Sequence, residues 1–300
     1  MLMGIKTLDT FAEIAKGKPK KYVAVAAADD RPVLEAIQSA KSTGIIEPIL
    51  VGNLEKIRSI AKDINFELEG IKLISENNPA AACVKSVDLV RSGDAQILMK
   101  GLVSSADYLR AILNKDNGLR KSGLLSHTGI FEVAAYHKII GLTDAAQNIS
   151  PDLSEKVDIV KNAVDLFHHL GVETPKVACL AAIEAVNPKM QATIDAALLT
   201  MMNRRKQISG CIIDGPLAFD NAVSLEATHH KGIESNVAGD ADILLAPDIE
   251  SANILYKSFT YFAGALVAAI ILGATVPIVL TSRADSHRSK FLSIALAAAY

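Results

Sequence analysis

Short apolar runs alternate with longer amphipathic stretches along almost the whole chain. The runs Tyr22–Ala28, Ala95–Met99 and Lys176–Ala181 have strand length, and helical patterns such as Pro79–Arg91 lie between them. This alternation is typical of parallel sheets joined by crossover helices. A chain of 300 residues, half of them hydrophobic, is long enough for about two such domains. The sequence therefore predicts a two-domain α/β protein.

The division between the domains is expected at a polar, glycine-containing stretch, Asn114–Ser126, which is either a surface loop or the crossing between domains. We predict a discontinuous first α/β domain over residues 1–124 plus 282–300 and a second α/β domain over residues 125–281. Ligands of open α/β sheets sit outside the carboxyl ends of the strands. Polar strand ends should therefore face a cleft between the domains.

The stretch from Ala241 to Ser286 holds the first candidate site. Asp242–Ala246 is predicted to be a buried strand, and an apolar helix is expected from about Ser251 to Leu272. Gly273 and Pro277 then break the pattern, and the strand Val276–Leu280 delivers Thr281, Ser282 and Arg283 to a strand end. A hydroxyl followed by a guanidinium is well suited to holding an anion. We interpret Ser282 and Arg283 as the chemical centre.

The uncharged run Ser258–Ser282 raises a membrane alternative. Its 25 residues are enough to span a bilayer. The run is rich in Ala and Gly, however, and Gly273 and Pro277 divide it. The pattern therefore favours a buried helix followed by a strand.

The second candidate site begins at Met99, where a buried strand ends in Lys100 and Gly101. Ser104 and Ser105 then open a helix that contains Arg110. The N-terminus of a helix can bind phosphate, and Lys100 and Arg110 would add positive charge. An ordinary serine cap with solvated charges explains the same residues, and this stretch alone favours that simpler interpretation slightly.

Composition and the remaining motifs exclude several classes of function. A net charge of −2 argues against a nucleic-acid partner. Three cysteines lie far apart in apolar runs, and the N-terminus lacks a signal-peptide core, so we expect a cytoplasmic protein with reduced thiols. Asp29 and Asp30 are interpreted as a helix start before Pro32 rather than as metal ligands. P-loop, zinc-hydrolase, esterase and dinucleotide-binding motifs are all absent from the sequence.

Three local expectations concern residues 188–239. A helix over Pro188–Arg205 is expected to bury one apolar stripe. A strand over Cys211–Asp214 should end in the loop Asp214-Gly215-Pro216, and Thr228–Gly239, with His229, His230 and Lys231, should be a mobile solvated loop rather than a metal site. The residues of the stripe are Met190, Ile194, Ala197, Leu198 and Met201.

Five segments resemble the phosphate acyltransferase (phosphotransacylase) family, and within it the phosphate butyryltransferase branch. Their order and spacing match the family from about Asp94 to the C-terminus, whereas the first ninety residues match only in general pattern. The segments are MKGLVSSADYLR, LTDAAQNISPDL, IDGPLAFDNAVS, VAGDADILLAPDIESANILYK and PIVLTSRADS.

The resemblance implies reversible transfer of an acyl group between coenzyme A and inorganic phosphate by direct attack in a ternary complex. It further implies two three-layer α/β domains, an active site in the cleft between them and a homodimer. No metal or cofactor is implied, because coenzyme A is a substrate. Acyl-CoA and phosphate are the expected partners, with no nucleic acid and no membrane.

Site residues can be carried over from the family position by position. Ser282 and Arg283 match its serine–arginine pair. In the acetyl-transferring branch, an aspartate six residues after that arginine acts as the base, and this chain has Ser289 at that position. Asp285 is our catalytic candidate for the base, with His287 as the alternative. Lys231 and Lys257 are candidates for holding CoA. The predicted substrate-binding residues are Lys100, Ser104, Ser105, Arg110, Asn253 and Lys257.

Two other functions stay open at this stage. A metal- and NAD-dependent hydroxy-acid dehydrogenase of a related two-domain fold would want an aspartate cluster, which Asp214 and Asp220 do not make. A non-catalytic, hinge-type ligand-binding protein would also present two α/β lobes, but most such proteins are exported. Fold alone does not separate these classes.

Overall fold

A computed structural model describes residues 5–121, 123–280 and 285–300, and the chain divides into two compact units. Unit 1 consists of Met1–Leu8 and Leu124–Val267, and unit 2 of Asp9–Gly123 and Ala268–Tyr300. The helices are α1 (Thr10–Lys16), α2 (Arg31–Ser42), α3 (Leu54–Asp63), α4 (Pro79–Arg91), α5 (Ser105–Ile112), α6 (Leu153–His169), α7 (Gln191–Arg204), α8 (Phe219–Val223), α9 (Leu225–His230), α10 (Ile249–Tyr261) and α11 (His287–Ala299). The strands are β1 (Lys21–Ala26), β2 (Ile46–Gly52), β3 (Lys72–Ser75), β4 (Ile97–Lys100), β5 (Ser126–Glu132), β6 (Ile140–Thr143), β7 (Lys176–Leu180), β8 (Ile212–Leu217), β9 (Ile243–Leu245), β10 (Leu266–Leu272) and β11 (Ile278–Val279).

The strands of unit 2 lie in the order β3-β2-β1-β4-β11-β10. All neighbours are parallel except β10 and β11, which pair antiparallel. Because β1 is covered by helices, its residues Val23–Ala26 are fully buried. Helix α11 packs on α1 and α2, and α4 packs on α5. Asn78 begins α4, where its side chain accepts hydrogen bonds from the amides of Ala80 and Ala81.

The strands of unit 1 lie in the order β5-β6-β9-β7-β8, and only the β5–β6 pair is antiparallel. An aromatic cluster forms part of the core, where the Phe131 ring stands edge-on to Tyr256 and Phe259 at centroid distances of 5.0 and 5.1 Å. Asp152 and Glu155 form a capping box that starts α6. The predicted α/β class with mainly parallel sheets is therefore confirmed.

The apolar stretch after Asp248 is a helix followed by a strand, so the prediction of one helix from Ser251 to Leu272 is wrong. Helix α10 ends at Tyr261, and Gly264 follows with a φ of +60°. That left-handed conformation favours glycine and ends the helical path. The run Leu266–Leu272 is then strand β10. Periodicity cannot separate a fully apolar strand from a buried helix, which explains the error.

Helix α7 buries a different face from the predicted apolar stripe. Leu198 and Met201 are 44% and 47% exposed, whereas Asp195 and Leu199 are buried. The Asp195 carboxylate accepts a hydrogen bond from Lys156 Nζ of α6 at 2.6 Å, and both side chains are buried. This ion pair directs a polar face of α7 inward, because either charge alone would be costly to bury.

Two predicted loops are regular structure. Strand β8 continues through Asp214-Gly215-Pro216 to Leu217 instead of ending at Asp214. The paired histidines His229 and His230 end helix α9, which begins where Ser224 accepts a hydrogen bond from the Ala227 amide at 3.2 Å. The predicted loop over Thr228–Gly239 is thus wrong at its start.

The contact-based units differ from the predicted domain boundaries in two segments. Residues 1–8 belong to unit 1, where the Ile139 amide donates to Ile5 O and the Leu8 amide to Glu132 Oε2. Residues 268–281 belong to unit 2, because β11 pairs with β4. Whether each unit folds alone, and whether a cleft separates them, stay predictions. Among the described residues, none of the helices combines the length and apolarity needed to cross a bilayer.

Candidate functional site

The carboxyl ends of β1, β4 and β11 meet at one edge of the unit 2 sheet. The three strands are parallel, with Ala26 opposite Lys100 and Val279 opposite Met99. Lys100 is therefore the last residue of its strand at this edge, and Leu280 follows β11 beside it. Strand ends of this kind are where open α/β sheets bind ligands.

Gly101 packs the loop after β4 tightly against the loop after β1. Its amide donates to Ala26 O and the Leu102 amide donates to Ala27 O, both at 2.8 Å. A Cβ at Gly101 would lie 2.1 Å from Ala27 O, so only glycine fits. The close contact fixes the position of Lys100 at the end of β4 and the path of the loop that leads to Ser104.

Ser104 caps helix α5, as the sequence predicts. Its Oγ accepts a hydrogen bond from the Asp107 amide at 3.0 Å and donates to Asp107 Oδ2 at 2.7 Å. Ser105 is the first residue of the helix and is exposed. Arg110 also pairs with Asp107, and hydrogen bonds from Ser104 and Arg110 lower the pKa of that carboxyl. Arg110 is thus held at the exposed face of α5.

Two buried lysines and two aspartates share this edge. Lys100 and Lys290 are 7% and 3% exposed, and Lys290 Nζ donates to the Asp285 carbonyl oxygen at 2.8 Å. Burial raises the pKa of Asp30, although the positive charges of Lys290 and Lys100 oppose the shift. Burial also lowers the pKa of Lys290, against the charges of Asp285 and Asp30. Asp30, Lys100, Asp285 and Lys290, which we call the charge cluster, are therefore electrostatically coupled.

Sequence reasoning missed two members of the charge cluster. Asp30 does occupy the N-cap position of α2 before Pro32, as predicted, but its coupling to two lysines was not foreseen. Lys290 lies in a nearly uniformly buried helix and has no motif around it. Because Lys290 directly follows the polar run Ser286–Ser289, its sequence context does not distinguish it from a solvated lysine.

Ser282 and Arg283 lie outside the described residues. The structure continues at Asp285, and Ser286 begins α11 by accepting a hydrogen bond from the Ser289 amide at 3.1 Å. Ser289, at the position of the family's basic aspartate, receives a hydrogen bond from Ser286 Oγ at 3.2 Å. His287 Nε2 lies 3.0 Å from Ser39 Oγ and 3.1 Å from Glu35 O, so its ring is engaged with α2.

The other predicted substrate-binding residues belong to unit 1. Asn253 Nδ2 donates to Ala145 O at 3.1 Å, which ties α10 to the segment after β6. Lys257, one turn later, places its Nζ 5.4 Å from the centre of the Tyr256 ring, within cation–π range. The structure thus gathers Lys100, Ser104, Ser105 and Asp285 in one unit, and Asn253 and Lys257 in the other.

Two further candidates from the sequence belong to unit 1, whereas the charge cluster belongs to unit 2. Lys231 pairs with Glu184 and Asp220 in unit 1, at 3.4 and 3.2 Å. His229 and His230 have no metal-binding neighbours: across the described part of the chain, no three His, Cys, Asp or Glu side chains are grouped to hold a metal ion.

The matching family model, two relatives and one solved structure agree on one protein family. The family model described as "phosphate acetyl/butaryl transferase" matches residues 6–82 and 77–298. Phosphate butyryltransferase of Clostridium acetobutylicum is 48% identical over 294 residues, which cover 98% of each chain. Phosphate acetyltransferase of Thermotoga maritima is 45% identical over 293 residues, covering 98% of this chain and 99% of the relative. The crystal structure of a branched-chain phosphotransacylase from Enterococcus faecalis matches with a TM-score of 0.81 and 35% identity, covering 92% of this chain and 97% of that one.

Proposed function

Because this chain belongs to the phosphate acetyl/butyryl transferase family, we propose that it transfers a short acyl group reversibly between coenzyme A and inorganic phosphate. The observation that carries the proposal is the match over residues 6–298, which includes the Ser282–Arg283 pair. Relatives named for butyryl and acetyl transfer are 48% and 45% identical, so the names alone do not fix the acyl group. We propose butyryl or a branched short chain as the substrate.

Phosphate is proposed to bind at the carboxyl edge of the unit 2 sheet. Four residues, Thr281 to Ala284, connect Leu280 at this edge to Asp285, and they include Ser282 and Arg283. Arg283 can bind phosphate oxygens in a bidentate manner and stabilise the developing oxyanion. Lys100 supplies a further positive charge, and the hydroxyl of Ser105 and the first-turn amides of α5 supply donors.

The proposed reaction is direct attack within a ternary complex. A phosphate oxygen attacks the thioester carbonyl carbon, the C–S bond breaks and CoA leaves as the thiolate, which takes up a proton. Holding both substrates together supplies much of the acceleration by itself. In the reverse direction a base removes the thiol proton, and we assign this role to Asp285. The engagement of His287 with α2 favours Asp285 over His287.

The cysteines support a reaction without an acyl-cysteine intermediate. All three are buried free thiols. Burial raises the pKa values of Cys83 and Cys211 to about 11, and burial also raises that of Cys179. Nucleophilic cysteines require a lowered pKa and access to substrate. Reduced, buried thiols also fit the cytoplasmic location that we propose.

Coenzyme A is proposed to contact Asn253 and Lys257 on α10, with Arg110 as an additional contact from α5. Lys257 is a cation near an aromatic ring, an arrangement that suits both a phosphate and an adenine-bearing ligand. We also propose two α/β domains and a homodimer, in keeping with the family. No residue in the proposal requires a metal or a further cofactor.

The two alternative functions have less support. None of the three relatives above is described as a dehydrogenase or as a transport-type binding protein. Asp214 lies within strand β8 and Asp220 follows in α8, where Asp220 pairs with Lys231 instead of forming an aspartate cluster.

The proposal is tested by following release of free CoA from butyryl-CoA with a thiol reagent, with and without phosphate. We expect phosphate-dependent release in the wild type and its collapse in Arg283→Ala. Arg58→Ala, which changes an exposed arginine of α3 in the same unit, is the matched control and should keep full activity. Release that is independent of phosphate would indicate a thioesterase. No release from butyryl-, acetyl- or isobutyryl-CoA would refute the proposal.

A further inference from the structure

Unit 1 contains a cavity of about 590 Å³ beyond the carboxyl ends of β7 and β9. Residues that directly follow these strands form one wall, and the first turns of α7 and α10 form another. The main contributors are Leu180, Ala181, Ala192, Phe219, Pro247 and Leu255. The volume lies in the range of small-molecule sites, which are mostly apolar with a few polar groups.

The polar side chains on the cavity wall donate hydrogen bonds within the protein. Gln191 Nε2 donates to Asp195 Oδ1 at 2.8 Å, and Ser251 Oγ donates to Asp248 Oδ1 at 2.7 Å. The other lining residues are aliphatic or aromatic, or proline. An apolar group is therefore the ligand this wall accommodates best, since a phosphate or sugar placed here would find few free donors.

The cavity lies at the edge of the unit 1 sheet where open α/β sheets bind ligands. Strands β6, β9 and β7 are parallel, with Leu142 and Ala178 both opposite Leu244, so their carboxyl ends share one edge. Helix α10 presents Ser251 and Leu255 to the cavity. Asn253 lies between them in sequence and is anchored to the segment after β6. Because residues two apart on a helix do not share a face, Asn253 does not line the cavity with Ser251 and Leu255.

We propose that this cavity binds the acyl chain of the substrate and sets the chain-length preference of the enzyme. The inference rests on the proposed function, since it assigns one part of that substrate to one place. An acyl chain is apolar, which matches an apolar cavity at the ligand-binding edge of the sheet.

The size of the cavity gives a quantitative expectation. Each methylene buried from water contributes about 0.8 kcal/mol, which corresponds to about a fourfold lower KM. Two additional methylenes should therefore make KM for butyryl-CoA on the order of tenfold lower than KM for acetyl-CoA. A cavity of this volume does not end at four carbons, so five- and six-carbon chains should also be accepted.

Two variants that change the cavity in opposite directions test the proposal. Ala192→Phe fills it and should abolish the KM advantage of butyryl-CoA over acetyl-CoA. Leu255→Ala enlarges it and should shift the preference toward hexanoyl-CoA. Leu198→Phe, at an exposed position of α7 outside the cavity, is the matched control and should leave the profile unchanged. KM is measured for acetyl-, butyryl-, isobutyryl- and hexanoyl-CoA, and for free CoA with acetyl phosphate.

The outcomes separate this inference from the proposed function. Opposite shifts in chain length with an unchanged KM for free CoA support the acyl-chain site. If both folded variants keep the wild-type order of KM values, or if they raise KM for free CoA and all four thioesters alike, the inference is overturned and the proposed function stands. Absence of phosphate-dependent turnover in the wild type would refute the proposed function, and this inference with it.

Discussion

Replacing Gly101 by alanine tests the structural basis of the predicted phosphate site. The new Cβ would lie 2.1 Å from Ala27 O and 2.7 Å from Ala26 O, and both are backbone atoms that cannot rotate away. The loop after β1 or the loop after β4 must therefore move. Either movement breaks the hydrogen bonds from the Gly101 and Leu102 amides.

The cost can be estimated from these contacts. Two lost hydrogen bonds contribute about 1 kcal/mol each, and overpacking adds about 1–3 kcal/mol, for a total of about 3–5 kcal/mol. A destabilisation of this size lowers Tm by on the order of 10 °C. The loss of activity should exceed the fraction of enzyme that is unfolded at the assay temperature, because Lys100 and Ser104 flank the displaced turn.

Thermal unfolding and CoA release are measured on Gly101→Ala beside Gly17→Ala. Gly17 lies in the same unit with a φ of −76°, and a Cβ there would be 3.4 Å from its nearest neighbour, Ile14 O. That control should be neutral or stabilised by about 0.4–1 kcal/mol. Wild-type Tm and activity in Gly101→Ala would show that the two loops are not packed as described.

Three further predictions address positioning, mechanism and pH. Lys290→Met should lower kcat about tenfold or more with little change in KM, because a charged hydrogen bond to Asp285 O is worth about 1.5–3 kcal/mol. Lys290→Arg should keep part of the wild-type kcat. A change confined to Tm would contradict the positioning role. Labelled CoA should not exchange into butyryl-CoA without phosphate, since direct attack needs both substrates; rapid exchange would reveal an acyl-enzyme. Burial would raise the pKa of Asp240, but hydrogen bonds from Lys176, Lys138 and His137 outweigh it and hold the pKa well below its usual range. Asp240→Asn should therefore lower Tm at pH 7. The difference from wild type should begin to shrink only below about pH 4, the pKa of a free carboxyl, and should be lost only as pH falls through the depressed pKa of the folded carboxyl; a difference that has already vanished at pH 4 would contradict this.

Local patterns predicted the strands and helix starts of unit 2 well. The predicted run Tyr22–Ala28 overlaps strand β1, which ends at Ala26, Asp30 occupies the N-cap position of α2, and Ser104 caps α5 as expected. These features depend on neighbours in sequence: an apolar run, a polar cap and a proline at the first turn. They also place Lys100 and Ser104 at a strand end without knowledge of the fold.

The errors occurred where distant contacts decide the outcome. Helix α7 turns Asp195 inward because Lys156, thirty-nine residues away, pairs with it there. The sequence predicts helix for strand β10 because burial on both sides removes the alternation that identifies a strand. The charge cluster joins residues 30, 100, 285 and 290, and no local spacing indicates that these side chains interact.

The central claim, that phosphate is the acyl acceptor and Arg283 is required, is tested most directly by ³¹P NMR of the reaction of butyryl-CoA with phosphate. We predict that the wild type forms an acyl phosphate in equal amount to the CoA released, and that Arg283→Ala forms none above background while it unfolds at the wild-type temperature. Release of CoA with no acyl phosphate signal, or an unimpaired Arg283→Ala enzyme, would contradict the account.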